Sequence, residues 1–246
     1  FGNWFDTYLS RLPALCGSDF SMIRRQWLAL IEELHHDLLR YTVETCAQLG
    51  TTVAAFFAYG DRYLIMNVGD SRVYERKNCL LQLTHDQSLV AREIAAGRIT
   101  EEESRHHPQR NILLQCLGAG EQISPEFIEG RVQSGALYLL CSDGLVHELS
   151  PAELADRFQA VYLSSKESMT SALHAAAEVC KVRGETDNIT AVLLKAQESV
   201  YTRPKRLGTN HFKRILNIAS SDNQDTIPVL KETAQVIHTQ EVIGRR

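Results

Sequence analysis

Residues 51–84 hold four strand-like segments joined by links of only two or three residues, and this spacing constrains the fold more than any other feature. The segments are TTVAAFFAY (51–59), RYLIMNV (62–68), RVYER (72–76) and CLLQLT (79–84). A parallel connection needs roughly a dozen residues or more, so strands linked this tightly are predicted to be antiparallel. The first segment is apolar almost throughout, the mark of a strand covered on both faces. Gly60-Asp61 fits a tight hairpin, and Gly69-Asp70-Ser71 reads as another turn.

Helical periodicity brackets these strands. Phe1, Trp4, Phe5, Tyr8, Leu9 and Leu12 share one face of a helix that stops at Pro13, and Ile23, Trp27, Leu30, Ile31, Leu34 and Leu38 share a face of a second, with Gly50 as its stop. Residues 87–125 break the strand rhythm. SLVAREIAAG reads as a short helix ending at Gly97, and Thr100 to Glu103 has capping-box spacing. Strands resume near 126–133 and 136–141. Ser150-Pro151-Ala152-Glu153 opens another helix, and a longer one follows with Met169, Leu173, Ala176, Ala177 and Cys180 on one face. A last strand covers 190–195. Helices and strands segregated in this way predict an α+β fold: two packed antiparallel sheets, a β-sandwich, flanked by helix pairs in four layers, α-β-β-α. This domain is expected to occupy residues 1–196. Residues 197–246 read as a linker or C-terminal tail, basic over 201–214, with at most one short helix around 211–219 and a strand-like stretch at 236–244.

Composition narrows the functional classes. A chain of 246 residues that is 44% hydrophobic can bury one full-sized core, and a net charge of −4 gives no footing for nucleic acid or an anionic membrane as the main partner. No apolar run reaches the roughly 18 residues of a membrane span. Cysteines at 16, 46, 79, 116, 141 and 180 form no CxxC pair, which predicts buried reduced thiols in a cytoplasmic protein. His35-His36, His106-His107 and His147 lack zinc-site spacing and read as solvated.

Chemistry concentrates where strands stop or start. Asp86 follows the fourth strand, Asp143 follows the apolar strand 136–141, and Asp187 precedes the last. Any one of them is an ordinary turn aspartate. Two carboxylates about 5 Å apart repel by about 3 kcal/mol at an effective dielectric of about 20, so a shared site calls for a cation or a proton. Ligands that are oxygen alone favour Mg²⁺, Mn²⁺ or Ca²⁺.

The blocks GTT (50–52), NVGDSRVY (67–74), LTHDQS (83–88), GRIT (97–100), HPQRN (107–111), LG (117–118), LLCSDGL (139–145) and GETDNITAVLL (184–194), in this order, resemble the metal-dependent Ser/Thr protein phosphatases of type 2C in their compact bacterial form. That family has a central antiparallel β-sandwich flanked by paired helices. The resemblance implies hydrolysis of phosphoserine and phosphothreonine in phosphoprotein substrates by a metal-bridged water, opposing a Ser/Thr kinase. It implies two central Mn²⁺ or Mg²⁺ ions and a third, looser ion. Asp143 and Asp187 match the family's later two metal-binding aspartates, and Asp86 matches the aspartate that holds the third ion with Asp143. Gln87 stands where the family usually has His. The GDSR segment (69–72) matches a common hairpin turn, which leaves Asp70 and Arg72 without a catalytic role, and residues 87–125 match the mobile flap beside the active site.

The family's phosphate-binding Arg, acidic pair, Asp-Gly-x-Gly-Gly turn and general-acid His belong upstream of the first helix and have no match here. The chain begins at Phe1, not Met, inside a helix-like pattern. The expectation is therefore an N-terminally incomplete phosphatase, inactive alone. The alternative is a phosphatase-shaped binding module that has lost activity.

Overall fold

A computed structural model describes Trp4, Thr7, Tyr8, residues 19–47 and 49–196, and the backbone of 216–220. Trp4, Thr7 and Tyr8 are helical; the rest of the predicted first helix, and the predicted stretch at 236–244, lie outside the described residues. The first long helix, α1, spans Ser21–Thr45. Strands β1 (Val53–Tyr59), β2 (Arg62–Val68), β3 (Arg72–Arg76) and β4 (Leu80–Gln82) follow. Two short helices come next, α2 (Leu89–Ala95) and α3 (Glu101–Arg105), then β5 (Glu126–Arg131) and β6 (Leu137–Cys141). Helices α4 (Asp143–Glu148), α5 (Pro151–Arg157) and α6 (Lys166–Arg183) lead to β7 (Ala191–Ala196) and β8 (Leu216–Ser220).

The strands make two antiparallel sheets, β1-β2-β5 and β4-β3-β6-β7-β8. Alternation along each strand divides the core into three slabs. Ala54 and Phe56 of β1, Tyr63 and Ile65 of β2, Tyr138 and Leu140 of β6, and Val192 and Leu194 of β7 meet between the sheets. The opposite faces of β1 and β2, carrying Val53, Ala55, Phe57, Leu64 and Met66, pack on Ile23, Trp27 and Ile31 of α1. Leu137, Leu139, Cys141 and Leu193 pack on Leu145, Leu154, Met169, Leu173, Ala176 and Cys180 from α4, α5 and α6. The predicted α-β-β-α layering is therefore observed, and the near-continuous apolar runs of β1 and β6 are strands buried on both sides.

Local signals hold where their geometry is local. Thr100 and Ser150 each close a capping box with Glu103 and Glu153, and Pro151 opens α5. Four expectations need correction. Residues 69–71 do not form a hairpin: β2 and β3 belong to different sheets, and the link carries the chain across the sandwich. Helix α1 ends at Thr45, ahead of Gly50, with Cys46 in the left-handed region at φ 55°. Residues 216–220 form a strand on the edge of β7 where a helix was expected, because that edge offers ladder partners that a short helix would leave unmet. The histidines are not all solvated: His35 is buried in the apolar row of Ile23, Trp27 and Ile31. Among the described cysteines Cys141 and Cys180 are buried free thiols as expected, whereas Cys46 and Cys79 are exposed free thiols; Cys16 lies outside the described residues.

Candidate metal centre

The register of the second sheet decides what gathers at its end. Arg72 at the start of β3 pairs with Cys141 at the end of β6, and Cys141 pairs with Ala191 at the start of β7. β4 runs antiparallel to β3 and ends beside its start. The segments carrying Asp70, Asp86, Asp143 and Asp187 therefore leave the sheet at one edge.

Asp143 is the first residue of α4, following the fully buried strand Leu137–Cys141. It is 8% exposed, and its Oδ1 is buried with no hydrogen-bond partner. The residue before Asp143 is locked to the segment that follows Asp187. Ser142 N donates to Thr190 O at 2.9 Å, Ser142 Oγ donates to Asn188 O at 3.1 Å, and Thr190 N donates to Ser142 Oγ at 3.0 Å. Gly144 is required at this joint, since a Cβ there would lie 2.7 Å from Asn188 O. Asp187 itself is exposed and accepts from Asn188 N at 2.7 Å.

Asp86 is differently placed. Arg72 donates to it from Nε (2.9 Å to Oδ1, 3.0 Å to Oδ2) and from Nη2 (2.6 Å to Oδ2), and Gln82 Nε2 adds a contact at 3.0 Å. Arg72 also donates to the Tyr74 hydroxyl at 3.0 Å, so the guanidinium is seated between two partners.

Asp70 is the acid that the sequence argument set aside. Because residues 69–71 cross between sheets, Asp70 is buried at the crossing and not displayed on a turn. Burial, then the charges of Asp143 and Asp86, push its carboxyl up to about 7. The crossing is fixed by close packing. Gly69 has φ +102°, a Cβ there would fall 2.4 Å from Thr52 Cγ2, and Thr52 Oγ1 and Ser71 Oγ share a hydrogen bond of 2.8 Å. Gln87 takes part: its Oε1 accepts from Gly69 N at 2.8 Å and its Nε2 donates to Ser124 O at 3.1 Å, tying the end of the 87–125 segment to the crossing. The only advance signal for Asp70 was an aspartate in a link of three residues, which reads equally as a hairpin.

One histidine adjoins the site, and another braces α1 away from it. His147, one turn after Asp143, has Nε2 3.4 Å from Asp143 Oδ2 and Nδ1 3.3 Å from Glu185 Oε2, so it is not the solvated side chain that its sequence context implied. His35 Nδ1 accepts from Gly118 N at 3.2 Å, which pins the strand-like return of residues 117–118 against α1. Burial pushes the Cys141 thiol up to about 12, so it stays protonated and offers no nucleophile.

A buried carboxylate oxygen without a donor, close enough to the buried Asp70 for its charge to raise that carboxyl, fits a hard divalent cation. Among the described residues no three His, Cys, Asp or Glu side chains close into one coordinating group, so water or donors outside the described residues would complete an octahedral shell.

A four-layer sandwich with acids gathered at one end of its sheet is the build of a metal-dependent protein phosphatase. The chain belongs to the protein phosphatase 2C family, whose profile it matches over residues 7–178. It is 31% identical to the serine/threonine protein phosphatase PstP of Mycobacterium tuberculosis over 73% of this chain and 33% of that protein. Against the serine/threonine phosphatase stp of Listeria welshimeri it is 35% identical over 60% of this chain and 57% of that one. The chain thus spans a third to somewhat over half of these relatives. Its fold resembles the S. agalactiae serine/threonine phosphatase (TM-score 0.64, 30% identity, 74% of this chain and 73% of that one). It also resembles the catalytic domain of PstP in complex with 2 manganese ions (TM-score 0.54, 25% identity, 65% and 64%).

Proposed function

We propose that the intact protein hydrolyses phosphoserine and phosphothreonine in protein substrates, opposing a Ser/Thr kinase in the cytoplasm, with Asp143 and Asp187 as ligands of two central Mn²⁺ or Mg²⁺ ions and Asp86 as a ligand of a third. The buried, partnerless Asp143 Oδ1 at an acid-rich sheet end carries this reading. Membership of a family whose characterised relatives are Ser/Thr phosphatases supplies the substrate class. Divalent ions bound there would supply charge neutralisation and an activated water for in-line displacement at phosphorus.

The chain's own residues do the positioning. Strand β6 leads into Asp143 from a rigid element, and the Ser142–Thr190 clamp ties the start of α4 to the loop that carries Asp187. The Arg72 bonds to Asp86 would compete with a cation there, so a third ion is expected to be the weakest. Asp70 lies within electrostatic reach of Asp143 and is given no ligand role. No helix among the described residues is long and apolar enough to cross a membrane. We assign residues 1–196, together with the strand at 216–220, to the catalytic domain.

The test is Mn²⁺-dependent phosphate release from a phosphothreonine peptide by the intact protein, compared with its Asp143→Asn variant. Release by the parent and none by the variant is expected. Equal release by both would remove the assignment.

A further inference from the structure

Asp143 and Asp187 are far apart in sequence, yet one side-chain chain joins them. Asp143 Oδ2 faces His147 Nε2 at 3.4 Å, and His147 Nδ1 faces Glu185 Oε2 at 3.3 Å. The other oxygen of Glu185 turns back on its own loop, accepting from Thr186 N at 2.8 Å and Asp187 N at 2.9 Å. The side chains of Asp143, His147 and Glu185 are 11%, 18% and 6% exposed, so the row is largely shielded from water. Its supports are rigid. His147 sits on α4 one turn from Asp143, the spacing at which side chains four apart share a face. Glu185 follows the left-handed cap Gly184 of α6, with Glu185 N donating to Cys180 O at 3.1 Å.

We propose that His147 and Glu185 are positioning residues that fix the separation and orientation of the two ligand segments from above, as the Ser142–Thr190 clamp fixes them from below. Without the imidazole, Glu185 and Asp143 would be two carboxylates meeting across a gap, and repulsion would swing the 185–187 loop outward. Without the Glu185 carboxylate, the Thr186 and Asp187 amides lose their acceptor and the backbone beneath Asp187 is no longer held. The pair acts through the ligands, as partners that orient metal-binding side chains do, whose loss typically lowers metal affinity by about 10- to 100-fold.

This inference rests on the reading of Asp143 and Asp187 as metal ligands, and two measurements on the full chain separate the two ideas. Mn²⁺ binding is followed by electron paramagnetic resonance of the free ion in the parent, His147→Ala, His147→Gln and Glu185→Ala. Amide hydrogen exchange at Thr186, Asp187 and Thr190 is followed in the same proteins without metal. His147→Ala and Glu185→Ala are expected to weaken Mn²⁺ binding by about tenfold or more. His147→Gln, which keeps an N–H donor, recovers part of that loss. In the metal-free proteins His147→Ala and Glu185→Ala exchange the Thr186 and Asp187 amides faster, with Thr190 unchanged. Unchanged exchange at Thr186 and Asp187 in both variants refutes the positioning role, whatever the metal result. So does Mn²⁺ affinity equal to a parent that binds. A parent that binds no Mn²⁺ while the variants loosen those two amides overturns the ligand reading and leaves the brace standing.

Discussion

Replacing Asp70 by Asn should stabilise the metal-free protein, the reverse of what removing a hydrogen-bonding acid from a buried position usually does. Asp70 is buried beside two other acids, and burial together with Asp143 and Asp86 raises its carboxyl from 3.8 to about 7. For an acid raised in the folded state, the native protein holds its proton when the unfolded chain has released it. The parent therefore loses stability as pH rises from near 3.8 to about 7, and the loss is complete above that. The span from 3.8 to about 7, at about 1.4 kcal/mol per pH unit, gives about 4 kcal/mol at pH 8. At pH 5 only the part between 3.8 and 5 applies, about 2 kcal/mol. Asn has the same shape and no charge, so Asp70→Asn should gain stability by about 4 kcal/mol at pH 8 and about 2 kcal/mol at pH 5. Urea unfolding of chelator-treated protein, read by the fluorescence of the buried Trp4 and Trp27, measures both. Every other titrating group is common to parent and variant, so the difference reports Asp70 together with its coupling to Asp143 and Asp86. A variant less stable than the parent at pH 8, or a gain that does not shrink at pH 5, would refute the electrostatic argument.

Three further outcomes follow from the same geometry. Asp143→Asn and Asp187→Asn should each abolish Mn²⁺-dependent hydrolysis of a phosphopeptide by the intact protein, measured as phosphate release, because each deletes a charged ligand. Gly144→Ala, which sets a Cβ 2.7 Å from Asn188 O, should cost about 1–3 kcal/mol in urea unfolding and weaken Mn²⁺ binding by parting the two ligand segments. Arg72→Gln should free Asp86 and tighten the weakest Mn²⁺ site while lowering stability, which calorimetric Mn²⁺ titration and unfolding would show together.

The layering was legible because it is written in patterns of short range. Residues 53–57 and 137–141 are apolar at every position, which only a strand buried on both faces requires, and Thr100 and Ser150 announce their helices through the residue three places on. Asp143 and Asp187 could be marked as carboxylates at strand ends, but the return of their segments to one end of the sheet depends on the β6–β7 pairing, which no local window contains. Asp70 was missed for the same reason, since a link of three residues looks alike whether it turns within a sheet or crosses to another. His147 and Glu185 meet only once α4 and the end of α6 are docked. His35 was within reach: it continues the four-residue spacing of Ile23, Trp27 and Ile31, and that row predicts burial whatever residue occupies it. The strand at 216–220 has apolar Leu216 and Ile218 two apart, too few residues to separate strand from helix without its neighbour β7.

Anomalous scattering from crystals of the intact protein grown with Mn²⁺ bears most directly on the whole account. Asp143 Oδ1 should lie about 2.0–2.6 Å from an ion, with an oxygen of Asp187 inside the same two-ion cluster. Ions bound elsewhere, with Asp143 Oδ1 still lacking any partner, would contradict it.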